Sequence, residues 1–488
     1  MAMTMALFEG ALLFAVVCGA IFLWVQPLLV DWIDLVAVLG QALVVSLCCI
    51  LSFYYNDLYD LRIVRTLGDF ASRLLQAFGV AFIFLAGFYT VFPDTNLAGG
   101  PFVSSLLIIL VFLLPLRALS YAAMRSRRLM ERVVILGTGP LVGSIISEIE
   151  AQPQFRYVVV GVVDDPRSSV ELPGGYPRLG PLDQLEKIIA EVKPDRIIVA
   201  MAERRGRLPL RPLLAARLSG IEVVDVVELY ERLTGKLAIE SLTPSSLIFS
   251  RDFRKSRFEL VVGRVVSLVT SVVALVVFAP LMGLIALLIR LDSPGPALFV
   301  HERLSLHGKR FKLLKFRTMR PGEANASEWV QDNSDRVTRV GHWLRKYRLD
   351  ELPQFVNILR GDMNLVGPRP HPASNLELFN ERIPYYALRS EVRPGVTGWA
   401  QVRYGYANNL EEEIEKMRYD LYYIKHLSAL RDLRIVVDTF KIVLFGRGSR
   451  AADAYRPQPV TNGQPGSVMP MAAGAAQRLS RPVRRERV

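Results

Sequence analysis

The sequence predicts a membrane protein of mixed α and α/β class. We expect a four-helix transmembrane bundle, a Rossmann-like α/β module, a re-entrant membrane helix and an α-rich cytoplasmic catalytic domain, in that order. Three observations support this prediction. Hydrophobic residues make up 51% of the 488 positions, four apolar segments of near-spanning length open the chain, and short apolar runs then alternate with helical patterns.

The four opening segments are each close to the ~20 residues that a spanning helix needs. They cover residues 7–25, 35–53, 75–92 and 102–119. The connection after the second segment and the exit from the fourth are rich in arginine, whereas residues 26–32 and 93–101 contain no lysine or arginine. Because basic loops remain in the cytoplasm, both ends of the bundle, 1–122, are expected on the cytoplasmic side.

Residues 131–230 have the alternation of a Rossmann-like module. A predicted strand leads into Gly137, Gly139 and Gly143, and a second strand, 157–163, ends at Asp164. Such glycines allow a nucleotide phosphate to approach a helix N-terminus, and an acid after the second strand can bind a ribose hydroxyl. The spacing G-x-G-x-x-x-G differs from the dinucleotide fingerprint, however, so the pattern favours a structural, oligomerising or regulatory module, with nucleotide binding as the alternative.

A linker is expected over 231–257, followed by a further apolar segment over 258–290. Pro280 lies deep inside this segment, where a proline kinks or breaks a helix. Both flanks are basic, which disfavours a full crossing. We therefore predict a re-entrant helix that bends near Pro280 and returns to the cytoplasmic face, with a proline-kinked span as the alternative.

Residues 291–446 form the predicted catalytic domain, and the Pro, Gly, Ala and Arg-rich segment 451–488 is predicted to be a disordered basic tail. The net charge of +13 allows anionic lipid, phosphorylated substrates or nucleic acid as partners, but a nucleic-acid binder does not fit the apolar segments. The three cysteines all lie in apolar stretches, so neither a disulfide framework nor a zinc site is expected.

The most informative stretch is 346–370, where adjacent carboxylates lie among basic residues. Asp350 and Glu351 follow Arg345, and Arg369 stands between two prolines. Cations keep a nearby carboxylate ionised and neutralise phosphate oxygens. Mg²⁺ is commonly held by one or two carboxylates together with substrate phosphates. The pattern therefore suits phosphoryl transfer, although a solvated helix start has the same composition.

Seven motifs in this region resemble, in order, those of the bacterial sugar transferases, also called polyprenyl glycosylphosphotransferases or monotopic phosphoglycosyl transferases. They are DSPGP at 292–296, KFRTMR at 315–320, RLDELPQ at 348–354, RGDM at 360–363, GPRP at 367–370, PGVTGWAQ at 394–401 and DLYYIK at 420–425. The resemblance covers 258–446. The upstream segments resemble the long form of the family, which initiates exopolysaccharide or O-antigen repeat units.

The resemblance implies that a sugar-1-phosphate moves from a UDP-sugar to undecaprenyl phosphate, with release of UMP. It implies Asp350 as the nucleophile that forms a phosphosugar-aspartyl intermediate, and Glu351 as the Mg²⁺ ligand. Basic residues at phosphate-binding positions would be Lys315, Arg317, Arg345 and Arg369, while Asp420 and Lys425 would shape the donor pocket.

The same resemblance implies a multi-pass protein of the bacterial inner membrane with its catalytic domain on the cytoplasmic face. Its expected partners are membrane lipid, a second copy of the chain in a homodimer and other polysaccharide-assembly proteins, with no nucleic acid. Two other functions remain open. A nucleotide-sugar dehydratase or epimerase would need a Tyr-x-x-x-Lys pair, which the chain lacks, and a non-catalytic membrane scaffold would not use the carboxylate pair.

Overall fold

The computed structural model describes most of the chain in two compact units, 1–229 and 230–488. The described residues are 2–24, 32–59, 67–93, 111–112, 115–116, 119, 130–152, 155–164, 175–201, 207–242, 253, 256–320, 336–405 and 409–445. The predicted tail, 451–488, and most of the fourth predicted span, 102–119, lie outside these residues.

The first unit begins with three long helices, α1 (Ala2–Trp24), α2 (Trp32–Tyr55) and α3 (Leu67–Val91). Among the described residues, Val38–Tyr55 and Gly68–Val91 are long and apolar enough to cross a membrane, and Phe8–Ala20 is a shorter apolar helix. Fully buried apolar side chains pack these helices against one another. Three of the four predicted helical segments are thus present as helices.

The remainder of the first unit is a five-stranded sheet whose neighbouring strands are all parallel, in the order β3-β2-β1-β4-β5. The strands are β1 (Glu131–Leu136), β2 (Tyr157–Val163), β3 (Arg178–Gly180), β4 (Arg196–Val199) and β5 (Glu222–Asp225). The helices of this part are α4 (Val142–Ala151), α5 (Leu185–Val192) and α6 (Leu210–Leu218), and α7 (Val226–Thr234) begins in the first unit and ends in the second. Apolar strands such as β1 suit a parallel sheet covered by helices on both faces, which confirms the predicted α/β module.

The second unit contains one very long helix, α8 (Arg257–Asp292), which continues through Pro280. It is the longest apolar helix among the described residues, with a composition that permits a membrane crossing. Its buried side chains form one group before the proline and one group after it: Ser267, Ser271, Ala274, Ile285 and Ile289. Residues 276–280 are all exposed. Because five consecutive helical residues point to every side, the helix is uncovered all round at this apolar stretch.

The catalytic region packs around α8 and is mainly helical, as predicted, with two small sheets. Strands β6 (Leu298–Leu304) and β7 (Arg310–Phe316) form an antiparallel hairpin, and β8 (Asn364–Val366) pairs in parallel with β9 (Gly395–Thr397). The helices are α9 (Arg339–Lys346), α10 (Gln354–Arg360), α11 (Leu376–Arg382), α12 (Trp399–Arg403), α13 (Leu410–Lys425) and α14 (Ala429–Phe445).

The structure differs from the sequence prediction in the segment assigned to a linker, 231–257. Leu237 and Ile239 are buried in the apolar core of the second unit, and the backbone N–H of Leu237 donates to the carbonyl oxygen of Arg418 on α13. The Trp399 indole also donates to the carbonyl oxygen of Gly235, at 2.9 Å. This segment is therefore part of the catalytic unit's core, because its apolar residues complete a surface that α13 and α12 leave uncovered.

Candidate active site

The carboxylate pair lies on a short turn between two helices. Helix α9 ends at Lys346, and Arg348 then takes a left-handed conformation (φ 53°) that leads into the 3₁₀ turn Leu349–Glu351. Left-handed backbone is uncommon for a residue other than glycine and costs about 1–3 kcal/mol when the surrounding structure enforces it. Helix α10 begins three residues later, so Asp350 and Glu351 are presented at a sharp junction.

This junction is fixed to the long apolar helix α8 by contacts of α9. The Thr338 hydroxyl caps α9 by accepting from the N–H of Gly341 at 2.9 Å. The carboxylate of Asp292, the last residue of α8, accepts from the N–H of Val340 at 3.2 Å. Leu344 packs in the same apolar cluster as Ile285 and Ile289 of α8. The end of α8 therefore determines where α9 positions the carboxylate pair.

Glu351 is the central charge of the site. Its Oε1 atom accepts a hydrogen bond from Nη1 of Arg369 at 3.1 Å and lies 3.8 Å from Nζ of Lys315. Its side chain is only 7% exposed. Burial alone would raise the pKa of Glu351, but the positive charges of Arg369, Lys315 and Arg348 together outweigh burial and lower this pKa to about 2. Glu351 is therefore ionised at neutral pH.

Asp350 is in a different situation, although it is the adjacent residue. It is half-buried, and its carboxylate makes no hydrogen bond or ion pair within the described part of the chain. Burial and the negative charge of Glu351 raise its pKa, while Lys315, Arg369 and Arg345 oppose this shift. Asp350 is thus an uncommitted carboxylate beside several cations, which is a suitable state for a nucleophile that approaches a phosphate.

Lys315 reaches the site from β7, where it pairs with Phe299 of β6. Asn357 of α10 fixes the position of this strand, because its side chain accepts from the N–H of Leu314 at 3.0 Å and donates to the carbonyl oxygen of Lys312 at 2.8 Å. Burial, followed by the positive charge of Arg369, lowers the pKa of Lys315 to about 8. The same residue is thus a cation whose charge is sensitive to pH near neutrality.

Arg369 comes from the loop between β8 and α11, which is held by close backbone contacts. The N–H of Gly367 donates to Thr397 and the N–H of Gly395 donates to Pro368, both at 2.9 Å. A Cβ atom on Gly398 would lie 2.1 Å from the carbonyl oxygen of Gly367, so a side chain cannot be accommodated there. The glycines of the GPRP and PGVTG motifs therefore allow two backbone segments to cross and deliver Arg369.

The other predicted phosphate-binding residues have direct protein contacts. Arg345 donates from Nε to the Thr318 hydroxyl at 3.0 Å, and its charge acts on Asp350. Arg317 is buried and donates to the carbonyl oxygens of Ser293 and Pro294 at 2.7 and 2.8 Å. The contacts of Arg317 hold the turn at the end of α8, which assigns it a structural role that the sequence pattern alone did not reveal.

The two residues expected in a donor pocket also lie in ion pairs. The carboxylate of Asp420 accepts from Nε of Arg389 at 2.8 Å and is 2% exposed. Nζ of Lys425 contacts both carboxylate oxygens of Glu231, at 3.0 and 2.8 Å. Sequence reasoning did not identify Arg389, which is separated from both DLYYIK and GPRP in the chain and carries no motif of its own.

A further cation, Arg303, was also missed by sequence reasoning. Its charge contributes to the lowered pKa of Lys315, and its Nη1 lies 3.5 Å from the carbonyl oxygen of Pro370. Arg303 reaches this region because it forms an isolated antiparallel bridge with Pro372, close to Arg369 in the chain. This long-range contact has no signal in the sequence that could have indicated the arginine.

The glycine-rich turn of the first unit has its polar groups occupied within the protein. The N–H of Gly137 donates to Val163 at 2.8 Å and that of Gly139 donates to Ala200 at 2.9 Å. The carboxylate of Asp164 accepts from the Thr138 hydroxyl. A Cβ atom on Gly137 (φ +91°) would lie 2.8 Å from the Met201 side chain, so this glycine is required by packing. Gly143 lies inside α4.

Comparison with known protein families gives two matches. The family described as bacterial sugar transferase matches residues 258–446, and the family described as CoA-binding domain matches residues 55–208. The first match includes every residue of the candidate active site, and the second includes the parallel sheet up to β4.

Three relatives illustrate the similarity to individual proteins. A UDP-N-acetylgalactosamine-undecaprenyl-phosphate N-acetylgalactosaminephosphotransferase of Aeromonas hydrophila is 39% identical over 49% of this chain and 56% of its own length. An undecaprenyl-phosphate glucose phosphotransferase of Komagataeibacter xylinus is 32% identical over 66% of this chain and 61% of its own length. A UDP-glucose:undecaprenyl-phosphate glucose-1-phosphate transferase of Escherichia coli strain K12 is 31% identical over 91% of this chain and 94% of its own length.

Proposed function

The chain belongs to the bacterial sugar transferase family, and on this premise we propose that it transfers a sugar-1-phosphate from a UDP-sugar to undecaprenyl phosphate. The observation that carries the proposal is the arrangement of the adjacent carboxylates. Glu351 is neutralised by Lys315 and Arg369, whereas Asp350 beside it has no partner among the described residues. The site therefore contains one ion-paired carboxylate, Glu351, and one carboxylate that is available for reaction, Asp350, within a cluster of cations.

In the first proposed step, a carboxylate oxygen of Asp350 attacks the β-phosphorus of the UDP-sugar. A bond forms between this oxygen and phosphorus, and the bond from phosphorus to the bridging oxygen breaks, so that UMP leaves with the electron pair. The product is a phosphosugar-aspartyl intermediate, an acyl phosphate of the kind that carboxylate nucleophiles form. Lys315 and Arg369 lie where they can neutralise the charge of the transferring group.

In the second proposed step, a phosphate oxygen of undecaprenyl phosphate attacks the same phosphorus. The bond to Asp350 breaks, which restores the carboxylate, and undecaprenyl-diphosphate-sugar is formed. The cations of the site favour this step because two anionic substrates would otherwise repel each other and the protein's carboxylates. Positioning and charge neutralisation are the main contributions that a protein makes to phosphoryl transfer.

The donor set of the site fits Mg²⁺. Both cation contacts of Glu351 are made to Oε1, and its second oxygen, Oε2, has no partner in the described part of the chain. Mg²⁺ commonly uses one or two carboxylates and completes its coordination with water and substrate phosphates. We propose that Glu351 holds Mg²⁺ against the donor diphosphate, where the ion would supply charge neutralisation for the departing nucleotide.

We further propose a location at the cytoplasmic face of the bacterial inner membrane, with a multi-pass first unit and a re-entrant α8. The all-round exposure of the apolar residues 276–280 supports lipid around this part of α8. The return path is supported by contacts of both halves of α8 with the same unit, by Ser267 to Leu365 before the exposed stretch and by Ile285 with Phe316 after it. Labelling of single cysteines introduced at Arg257 and Lys309 tests the topology. Labels on opposite faces of the membrane would contradict the re-entrant path.

The donor is proposed to be UDP-glucose, because the Escherichia coli relative that is similar over 94% of its length is named for glucose transfer. The test is UMP release by the purified full chain with undecaprenyl phosphate, Mg²⁺ and a panel of UDP-sugars. We expect release with one donor and its loss in Asp350→Asn. Glu302→Gln is the matched control, because it removes an exposed carboxylate that pairs with Arg310 on the same hairpin as Lys315.

Each outcome of this experiment tests a different part of the proposal. Turnover that survives Asp350→Asn would exclude Asp350 as the nucleophile. Release with an N-acetylated donor only would replace glucose while leaving the reaction intact. Absence of UMP with every donor would favour the non-catalytic scaffold.

A further inference from the structure

The buried ion pair of Arg389 and Asp420 contacts the backbone of Arg369, not the guanidinium of Arg369. Arg389 donates from Nε to a carboxylate oxygen of Asp420 at 2.8 Å, and its Nη2 lies 2.8 Å from the same oxygen. The Nη2 atom also donates to the backbone carbonyl oxygen of Arg369 at 2.7 Å. The side chains of Arg389 and Asp420 are 6% and 2% exposed, so both charges are buried.

The Arg369 side chain, in turn, reaches Glu351 at 3.1 Å. Arg369 therefore joins the ion pair to the carboxylate pair through two contacts, one at its backbone and one at its guanidinium. Pro368 and Pro370 flank it, and residues next to proline have few allowed backbone conformations. With a stiff loop, the contact at the Arg369 carbonyl group controls where the guanidinium lies.

The residue that follows this loop is held by the same helix that carries Asp420. His371 is buried, with Nε2 2.9 Å from the carboxylate of Glu413 and Nδ1 2.5 Å from the hydroxyl of Tyr386. Glu413 and Asp420 are seven residues apart on α13, which places them on one face of the helix. Two buried carboxylates of α13 thus act on the Arg369 loop from one side.

Because burying charges costs free energy, stabilisation of the fold alone is a poor explanation for the Arg389–Asp420 ion pair. A buried ion pair commonly brings little net stability compared with apolar residues of similar volume. The role of such a pair can instead be to fix the orientation of the groups that it contacts. Arg389 suits this task because its planar guanidinium binds two acceptors in a fixed geometry, which a lysine cannot reproduce.

From these contacts we infer that Arg389 and Asp420 are positioning residues, which hold the Arg369 guanidinium against Glu351 and the transferring phosphoryl group. The inference rests on the proposed sugar-phosphate transfer and assigns Asp420 to the support of Arg369 instead of the donor pocket. It predicts that loss of Arg389 impairs catalysis through Arg369 alone.

A double-mutant cycle tests this dependence with the purified full chain. The variants are Arg389→Gln, Arg369→Gln and the two combined, and the measurements are kcat and KM for UMP release together with the thermal unfolding temperature. We expect Arg389→Gln to lower kcat about 100-fold, the loss that misplacement of a catalytic group by about 1 Å can cause. In the Arg369→Gln background the additional loss should be less than about threefold, because the group to be positioned is already absent.

The matched control is Arg418→Gln on the same helix, α13. It removes an ion-paired arginine that contacts Glu240 and Glu415 and has no contact with Arg369 in the described part of the chain. We expect a lower unfolding temperature with near-unchanged kcat. If Arg389→Gln does not yield folded protein, Asp420→Asn takes its place in the cycle.

The inference would be overturned if the double variant lost kcat by the product of the two single losses. It would also be overturned if Arg389→Gln kept the wild-type kcat. Both results require an active wild-type protein and so leave the proposed transfer intact. An inactive wild type with every donor would instead overturn the proposed function, and the positioning role with it.

Discussion

Lys315 leads to a prediction about the pH dependence of the proposed reaction. Its ammonium group is 3.8 Å from Glu351, where its positive charge can neutralise an incoming phosphate. Burial is the largest cause of its lowered pKa and the charge of Arg369 is the next, while Glu351 and Asp350 act in the opposite direction. The resulting value of about 8 means that Lys315 is charged at pH 7 and becomes neutral as the pH rises.

The magnitude follows from the titration of this single group. With a pKa of about 8, about nine-tenths of Lys315 is charged at pH 7 and about one-tenth at pH 9. If only the charged form binds the phosphate, kcat/KM for UMP release falls about tenfold between these pH values, because kcat/KM reports the ionisation of the free enzyme. Lys315→Arg keeps the charge throughout this range and should give a flat profile, although at a lower plateau.

The assay is UMP release at subsaturating UDP-sugar from pH 6.5 to 9.5. Lys309→Arg is the control, since Lys309 is exposed on the same hairpin and its variant should keep the wild-type basic limb. Arg369→Gln should move that limb to higher pH, because it removes a positive charge that lowers the pKa of Lys315. A basic limb that persists unchanged in Lys315→Arg would refute the reasoning.

Three further predictions concern the turn at the end of α8, the crossing of two backbone segments and the carboxylate pair. Arg317→Lys should lower the free energy of unfolding by about 1–3 kcal/mol, because buried carbonyl groups lose their donors; denaturant unfolding measures it, and unchanged stability would contradict the assigned role. Gly398→Ala should strongly lower the unfolding temperature, because its Cβ would lie 2.1 Å from the Gly367 carbonyl oxygen, whereas Gly283→Ala, with no atom within 4 Å, should be tolerated. Glu351→Gln should slow the UMP burst, because it removes the proposed Mg²⁺ ligand. It should also shift the acid limb of the remaining burst to lower pH, because the Glu351 charge is one cause of the raised pKa of Asp350; a shift to higher pH would show that another group sets this limb.

The sequence predicted the architecture well where a pattern depends on local periodicity. Four of the five predicted apolar segments are the helices α1, α2, α3 and α8, and the alternating runs after Glu131 form a parallel sheet. The interval 231–257 is predicted from the sequence to be a linker. Leu237 and Ile239 are nevertheless buried, since a short segment can complete a core through tertiary contacts that periodicity does not record.

The candidate site was predictable only in part, for a similar reason. Basic residues beside the carboxylate pair were identifiable as a group, but their tasks depend on which atoms they reach. Arg317 and Arg369 look equivalent in the sequence, yet Arg317 donates to carbonyl oxygens at the end of α8 and Arg369 donates to Glu351. Arg389 could not be found at all, because its role arises from contacts between residues 20 and 31 positions apart.

The division of roles within the carboxylate pair follows from the turn that carries it. In a 3₁₀ turn, successive residues are about 120° apart, so adjacent acids point in different directions. Glu351 consequently faces Arg369 and Lys315, and Asp350 is left without an ion-pair partner among the described residues. A regular helix or strand would also separate neighbours, but the left-handed Arg348 sets this turn immediately after α9, whose other end is fixed to α8. The chemistry proposed for Asp350 therefore depends on a backbone geometry that α8 helps to impose.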